Sequence, residues 1–230
     1  MTILTVGCSW TWGLGLQPSE TYAAHLQDFL GVNVINAGTC GTDIKQSIYS
    51  TYQLLDHIQP SIVIFQLTTF DRITLGVSGK NNFVDQNYIV NKPNLYFCDG
   101  EYERLNGIGD SEKHLVTIGS YTECLDNTDS KSISTKFLME NVIFDEYTLA
   151  NTLIDITLLQ SHLKMQGINY VFFPWFDLPN ELDNKLNIHH KSAIDFLGDE
   201  FFIDKGYHIS NAGNKKLATE FIYPMIEEVL

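Results

Sequence analysis

Ser9 stands in the stretch TVGCSWTWGLG at residues 5–15, between a cysteine and a tryptophan and just after an apolar run ending in Gly7. Asp204 and His208 stand near the other end of the chain, in DKGYHISNAG. A serine hydroxyl is a weak nucleophile until a neighbouring base takes its proton, and neutral histidine suits that task near pH 7. A carboxylate holds the histidine in one tautomer and steadies the imidazolium, so the three residues read as nucleophile, base and orienter of an acyl transfer. The oxyanion formed on attack needs rigid N–H donors. The backbone of Ser9 and of Gly41, in the turn AGTCGTD, can supply them, since glycine lets a chain approach closely. Each residue alone has a plainer reading: a turn or cap serine for Ser9, a surface loop histidine for His208.

These residues need a scaffold that brings the two ends of the chain together. Ile3 to Gly7 is too short for a buried helix and reads as a strand, followed by a turn at Ser9. A helix is expected to start near Pro18 and Ser19 and to end at Gly31, with Tyr22, Leu26, Phe29 and Leu30 at helical spacing. The segment 32–36 then reads as a second strand, 44–58 as a helix stopped by Pro60, and 61–67 as a third strand with the continuous apolar run of a parallel sheet buried on both faces. Strands alternating with helices predict βαβ units and an α/β fold of three layers, helices on both sides of a central parallel sheet. In such sheets ligands gather at the carboxyl ends of the strands, where Ser9, Gly38 to Gly41 and Thr68 to Asp71 all fall.

Between about 76 and 136 the alternation breaks down into Gly, Asn, Asp and Ser with short aromatic runs. Structureless loops of that length are uncommon, so the segment reads as an insertion capping the carboxyl ends of the sheet within a single domain, 1–230. A long helix follows, with Leu149, Leu153, Ile156, Leu159 and Leu163 at steps of three and four up to Gly167. INYVFFPWFD is the next strand, leaving the sheet near Pro174, and a loop and helix close the chain.

At this point the motifs resemble a known family. GCSWTWG is similar to the first block, G-D-S-x-x-x-G, of the SGNH (GDSL-type) hydrolases, with Cys8 where that family has aspartate. NAGTCG at 36–41 resembles the second block, whose last glycine, an oxyanion donor, falls on Gly41, and DKGYHISNAG resembles the terminal block with the catalytic Asp and His. The resemblance implies a flavodoxin-like SGNH hydrolase fold and an ester hydrolase with Ser9, Asp204 and His208 as its triad. Two positions depart from the pattern. The third block, G-x-N-D, aligns with Thr68, Thr69, Phe70 and Asp71, so the oxyanion asparagine is missing. Losing one such donor costs about 2.7 to 4 kcal/mol in the transition state. Either a hydroxyl of Thr68 or Thr69 takes its place or turnover is low. Asp204 also lies four residues before His208, where the family has three; the alternative is a backbone carbonyl on the histidine, with Asp204 idle.

Composition bounds the substrate. The formal net charge of −14 disfavours phosphate backbones and anionic lipid surfaces, so neither nucleic acid nor a membrane is an expected partner. No stretch has the length of a membrane span or the pattern of a signal peptide, so the expectation is a cytoplasmic protein or one exported by other means. The four cysteines lack metal-ligand spacing, so no metal is expected, and the chemistry calls for no cofactor. Neither a P-loop nor G-x-G-x-x-G follows the first strand, which disfavours a nucleotide-binding protein. Trp10 and Trp12, flanking Ser9, are the expected substrate-binding walls, although core packing is the default for tryptophan. The expected reaction is removal of a short acyl group, such as acetyl, from a carbohydrate or another small ester; the alternative is a carbohydrate-binding module that keeps the fold without turnover. The sequence leaves the oligomeric state open.

Overall fold

The computed structural model describes residues 1–40, 42–70, 149–178, 186–203 and 208–230, and the backbone of 73–78, 95–97, 102–103, 113–118 and 145–148. Its centre is a parallel sheet of β1 (Thr2–Gly7), β2 (Asn33–Gly38), β3 (Ile62–Leu67) and β8 (Asn169–Pro174). The order β2-β1-β3-β8 puts the first strand inside the sheet, as in the doubly wound 2-1-3-4 arrangement, with the switch point between β1 and β3. Gly7 pairs with Gly38 at the carboxyl end, so the segments after β1 and β2 emerge side by side.

The strands are mainly apolar because each face meets a helix layer. Ile3, Ile62, Ile64, Val171 and Phe173 face α2 (Tyr22–Leu30) and the C-terminal helices; Leu4, Val63, Phe65 and Phe172 face α3 (Ile44–Leu55) and α4 (Asp145–Met165). This is the period-2 alternation of a strand divided between two cores. The C-terminal layer is α5 (Ala193–Leu197), then α6 (Asn211–Lys216), a π-helical stretch (Leu217–Ile222) and α7 (Tyr223–Val229). Leu217, Ile222 and Ile226 are fully buried, each contributing about 1.5 to 3 kcal/mol of hydrophobic stabilisation.

Several boundaries differ from the sequence reading. Ser9 does not lie in a loop: it opens a one-turn helix, α1 (Ser9–Trp12), closed by Gly13 in the left-handed conformation. Pro18–Glu20 form a 3-10 turn, and α2 begins only after Thr21, whose hydroxyl accepts from Ala24 N–H at 3.3 Å. Proline at the start and a cap residue at the end of that turn account for the shift. Of the five apolar residues expected to face the core in α4, Ile156, Leu159 and Leu163 are buried, whereas Leu149 and Leu153 are half-buried.

Within the segment read as an insertion, β5 (Leu95–Phe97) pairs antiparallel to β2, and β6 (Tyr102–Glu103) pairs to β5. These pieces extend the central sheet at its β2 edge. β4 (Ile73–Ser78) and β7 (Lys113–Ile118) form a separate antiparallel ribbon.

Candidate active site

The carboxyl end of β1 is shaped by space. A Cβ on Gly7 would lie 2.3 Å from Thr11 Oγ1 and 2.5 Å from Gln66 Oε1, and one on Gly38 would lie 2.3 Å from the backbone nitrogen of Trp12. Only glycine lets α1 lie across the ends of β1 and β2. Asn36 holds it there: its Nδ2 donates to the Thr11 carbonyl at 2.8 Å, while its Oδ1 accepts from Gly38 N–H at 3.0 Å. Ser9 therefore begins a helix directly at the strand end. First-turn N–H groups have no partner inside their own helix, which leaves the Ser9 N–H available as a donor.

His208 arrives from the opposite end of the chain. Its carbonyl accepts from Ile203 N–H at 2.7 Å, Ser210 N–H donates to the Phe201 carbonyl at 2.8 Å, and Phe202 and Ile209 form an antiparallel bridge. Ser210 then caps α6, its hydroxyl accepting from Gly213 N–H at 3.2 Å. Anchored on both sides, His208 sets its Nε2 3.1 Å from Ser9 Oγ. Both residues are buried, with 8% and 9% of their surfaces exposed, so the pair sits where water competes weakly and an imidazole can take a proton from the hydroxyl.

Trp10 corrects one expectation. It is 2% exposed, stacks on Trp175 with centroids 5.0 Å apart and planes at 8°, and meets Phe176 edge-on at 5.2 Å. So deeply covered a ring offers no face to a sugar; it is core, and it buttresses His208, whose ring centroid is 6.2 Å away. Trp12 is half-buried.

Thr68 and Thr69 follow β3 at the same end of the sheet. Among the described residues the hydroxyl oxygen of each is buried without a hydrogen-bond partner. An unpaired buried hydroxyl costs about 1 to 3 kcal/mol, so two in succession beside a candidate site are a feature that a polar substrate group would relieve. Gly41 and Asp204 lie outside the described residues. Cys8 and Cys40 are free thiols, and the Cys40 thiol is pushed up to about 11, by burial first and by the charge Cys8 would carry second. A thiol so reluctant to ionise is a poor nucleophile. No cluster of His, Cys, Asp or Glu among the described residues could hold a metal ion, and none of their helices is long and apolar enough to cross a membrane.

Residues that the sequence reading passed over hold the site together. Gln66, 1% exposed in the apolar run IVIFQL, accepts from Cys8 N–H at 3.0 Å. Asn214, fully buried, accepts from Tyr22 N–H at 2.8 Å and donates to the carbonyls of Ile209 and Ser210. The available signal was a polar side chain at a core position, since such groups are retained only where they find partners.

No protein-family model and no curated protein sequence matches the chain. Solved structures do. TesA superposes with a TM-score of 0.57 at 14% identity, over 100% of both chains. The esterase EstA from Pseudoalteromonas sp., in a form inhibited by monoethylphosphonate, superposes at 0.54 with 12% identity over 99% of this chain and 97% of its own. A G-D-S-L family protein from Desulfitobacterium hafniense gives 0.54 and 11% over 100% and 99%. The α/β architecture, with its parallel central sheet, is the SGNH-hydrolase fold.

Proposed function

We propose that this chain is a serine ester hydrolase of the SGNH type. The observation that carries the reading is the 3.1 Å contact between His208 Nε2 and Ser9 Oγ, made across 199 residues of sequence at the carboxyl end of the sheet. In this reading Ser9 Oγ bonds to the ester carbonyl carbon as its proton passes to His208 Nε2, and the carbonyl electron pair moves onto oxygen. The oxyanion is met by the Ser9 N–H, by the Gly41 N–H and by the hydroxyl of Thr68 or Thr69, each without a hydrogen-bond partner among the described residues, in place of the missing asparagine. Collapse re-forms the carbonyl and breaks the bond to the alcohol, which leaves with the proton from His208. Water, deprotonated by His208, then attacks the acyl-serine; the acid departs and Ser9 regains its proton. Asp204 is proposed to orient His208.

The substrate is read as a short-chain ester, an acetyl group on a carbohydrate or other small alcohol. With Trp10 committed to the core, Trp12 is the remaining ring beside Ser9 for a sugar face. The test is hydrolysis of p-nitrophenyl acetate and butyrate by the wild type and by Ser9→Ala, with labelling by a fluorophosphonate. Turnover and labelling lost together in Ser9→Ala support the reading. No turnover and no labelling of the wild type would reject it in favour of a binding module without catalysis.

A further inference from the structure

The hydrogen bonds around the site form one buried path between the segment holding Ser9 and the segment holding His208. Gln66 Oε1 accepts from Cys8 N–H at 3.0 Å, from Cys8 Sγ at 3.4 Å and from Thr11 Oγ1 at 3.2 Å, while its Nε2 donates to the Leu67 carbonyl at 2.7 Å. Thr11 Oγ1 in turn accepts from the Tyr22 hydroxyl at 3.1 Å. At its other end Tyr22 donates its backbone N–H to Asn214 Oδ1 at 2.8 Å. Asn214 Nδ2 donates to the carbonyls of Ile209 at 3.3 Å and Ser210 at 3.1 Å, the two residues that follow His208. Gln66, Thr11, Tyr22 and Asn214 are each at most 1% exposed.

The path explains why the chain leaves the sheet at residue 8. β1 and β3 pair through Val6 and Phe65. One step further, the Cys8 N–H that could continue a ladder is taken by a side chain, Gln66 Oε1, so the strand ends there and α1 begins. Gly7 leaves the room in which Gln66 and Thr11 meet, since a Cβ there would strike both. A carboxamide is suited to this position because it accepts from three donors with one end and satisfies the Leu67 carbonyl with the other. In a buried setting each missing partner would leave the rest uncompensated, so the chain of bonds behaves as a unit.

We infer that Gln66 and Asn214, joined through Thr11 and Tyr22, are positioning residues that set the separation of Ser9 and His208. The inference rests on the hydrolase reading for its kinetic consequence but not for its geometry. A misplacement of about 1 Å between reacting groups can cost on the order of 100-fold in rate, and the contact at stake is 3.1 Å long.

The experiment uses the full chain with Gln66→Leu, Gln66→Glu and Tyr22→Phe. Gln66→Leu removes the acceptor. Gln66→Glu keeps an oxygen facing Cys8 and Thr11. Tyr22→Phe deletes a single oxygen and cuts the path in the middle, so it reports even where Gln66→Leu does not fold. The readouts are kcat and KM on p-nitrophenyl acetate and the Ser9 to His208 distance in crystals of each variant. The expected result is a loss in kcat on the order of 100-fold for Gln66→Leu at little changed KM, partial recovery in Gln66→Glu, and a smaller loss of about 2- to 13-fold for Tyr22→Phe, the range for one net hydrogen bond. The distance is expected to lengthen beyond hydrogen-bond reach in Gln66→Leu. An unchanged distance in the folded variants, or kcat within twofold of wild type in both Gln66→Leu and Tyr22→Phe, overturns the inference. A wild type that neither turns over esters nor takes up a fluorophosphonate defeats the hydrolase reading instead, and the crystal distances still decide the positioning claim.

Discussion

Gly38→Ala places the added methyl carbon 2.3 Å from the Trp12 backbone nitrogen and 2.7 Å from the Thr11 carbonyl carbon, against an ordinary contact of 3.4 Å or more. Neither neighbour is the end of a flexible side chain, so the strain falls on α1 as a body. Restoring ordinary contact requires α1 to lift from β2 by about 1 Å, and Ser9 is its first residue. The Ser9 to His208 contact, 3.1 Å in the wild type, lengthens accordingly. A shift of that size predicts a fall in kcat of about 100-fold, equivalent to about 2.7 kcal/mol in the barrier. Overpacking also lowers stability by about 1 to 3 kcal/mol, so a matched control is needed. Gly167→Ala serves: Gly167 has φ of 68° and nothing within 4 Å of an added Cβ, so it loses stability through backbone strain alone, by about 1 to 2 kcal/mol. The assay compares kcat and KM on p-nitrophenyl acetate with thermal midpoints for both variants. Gly38→Ala is expected to lose activity far beyond Gly167→Ala at similar stability. A folded Gly38→Ala within threefold of wild-type kcat would refute the claim that close approach of α1 to β2 aligns Ser9 with His208.

Other perturbations separate stability from activity. Thr68→Val and Thr69→Val remove buried hydroxyls that have no partner among the described residues; thermal melts are expected to show stability unchanged or raised, while under the proposed hydrolase reading kcat falls on the order of 10²- to 10³-fold for the variant that loses the proposed oxyanion donor. Cys40, with its thiol raised from 9.0 to about 11, is neutral at pH 8 and is expected to alkylate with iodoacetamide about 100-fold more slowly than its unfolded form, followed by mass spectrometry. The sign for stability follows: the folded state holds this proton more tightly, so alkaline conditions from about pH 9 upward favour unfolding, and melts above that pH are expected to show it. Thr21→Ala removes the cap at the start of α2 and is expected to cost about 1 kcal/mol in chemical denaturation.

The parallel sheet was legible because strands buried on both faces are mainly apolar: IVIFQL at β3 is too short for a buried helix and, but for Gln66, apolar along its length. The longer helices α2, α3 and α4 were legible from spacing and from their stops, as at Gly31 and Gly167. Ser9 and His208 could be singled out as a pair because few residue types activate a hydroxyl, and the fold brings them within 3.1 Å at the end of the sheet where ligands gather in such architectures. Short-range patterns carry this kind of information, since each depends on residues a few positions apart.

What lay beyond the sequence depends on contacts between distant segments. That α1 starts at Ser9 follows from Gln66, 58 residues away, taking the Cys8 N–H; propensity over a four-residue turn could not announce it. That Trp10 is core and not a substrate wall follows from Trp175 lying flat against it, a stacking partner with no trace in the residues flanking Trp10. The 3.1 Å between Ser9 and His208 is likewise a property of the whole fold. Composition and periodicity state which groups are present and which elements carry them, whereas the sheet register, the glycine clearances and the buried path from Gln66 to Asn214 decide how far apart those groups stand, because a distance between segments exists only once both have packed.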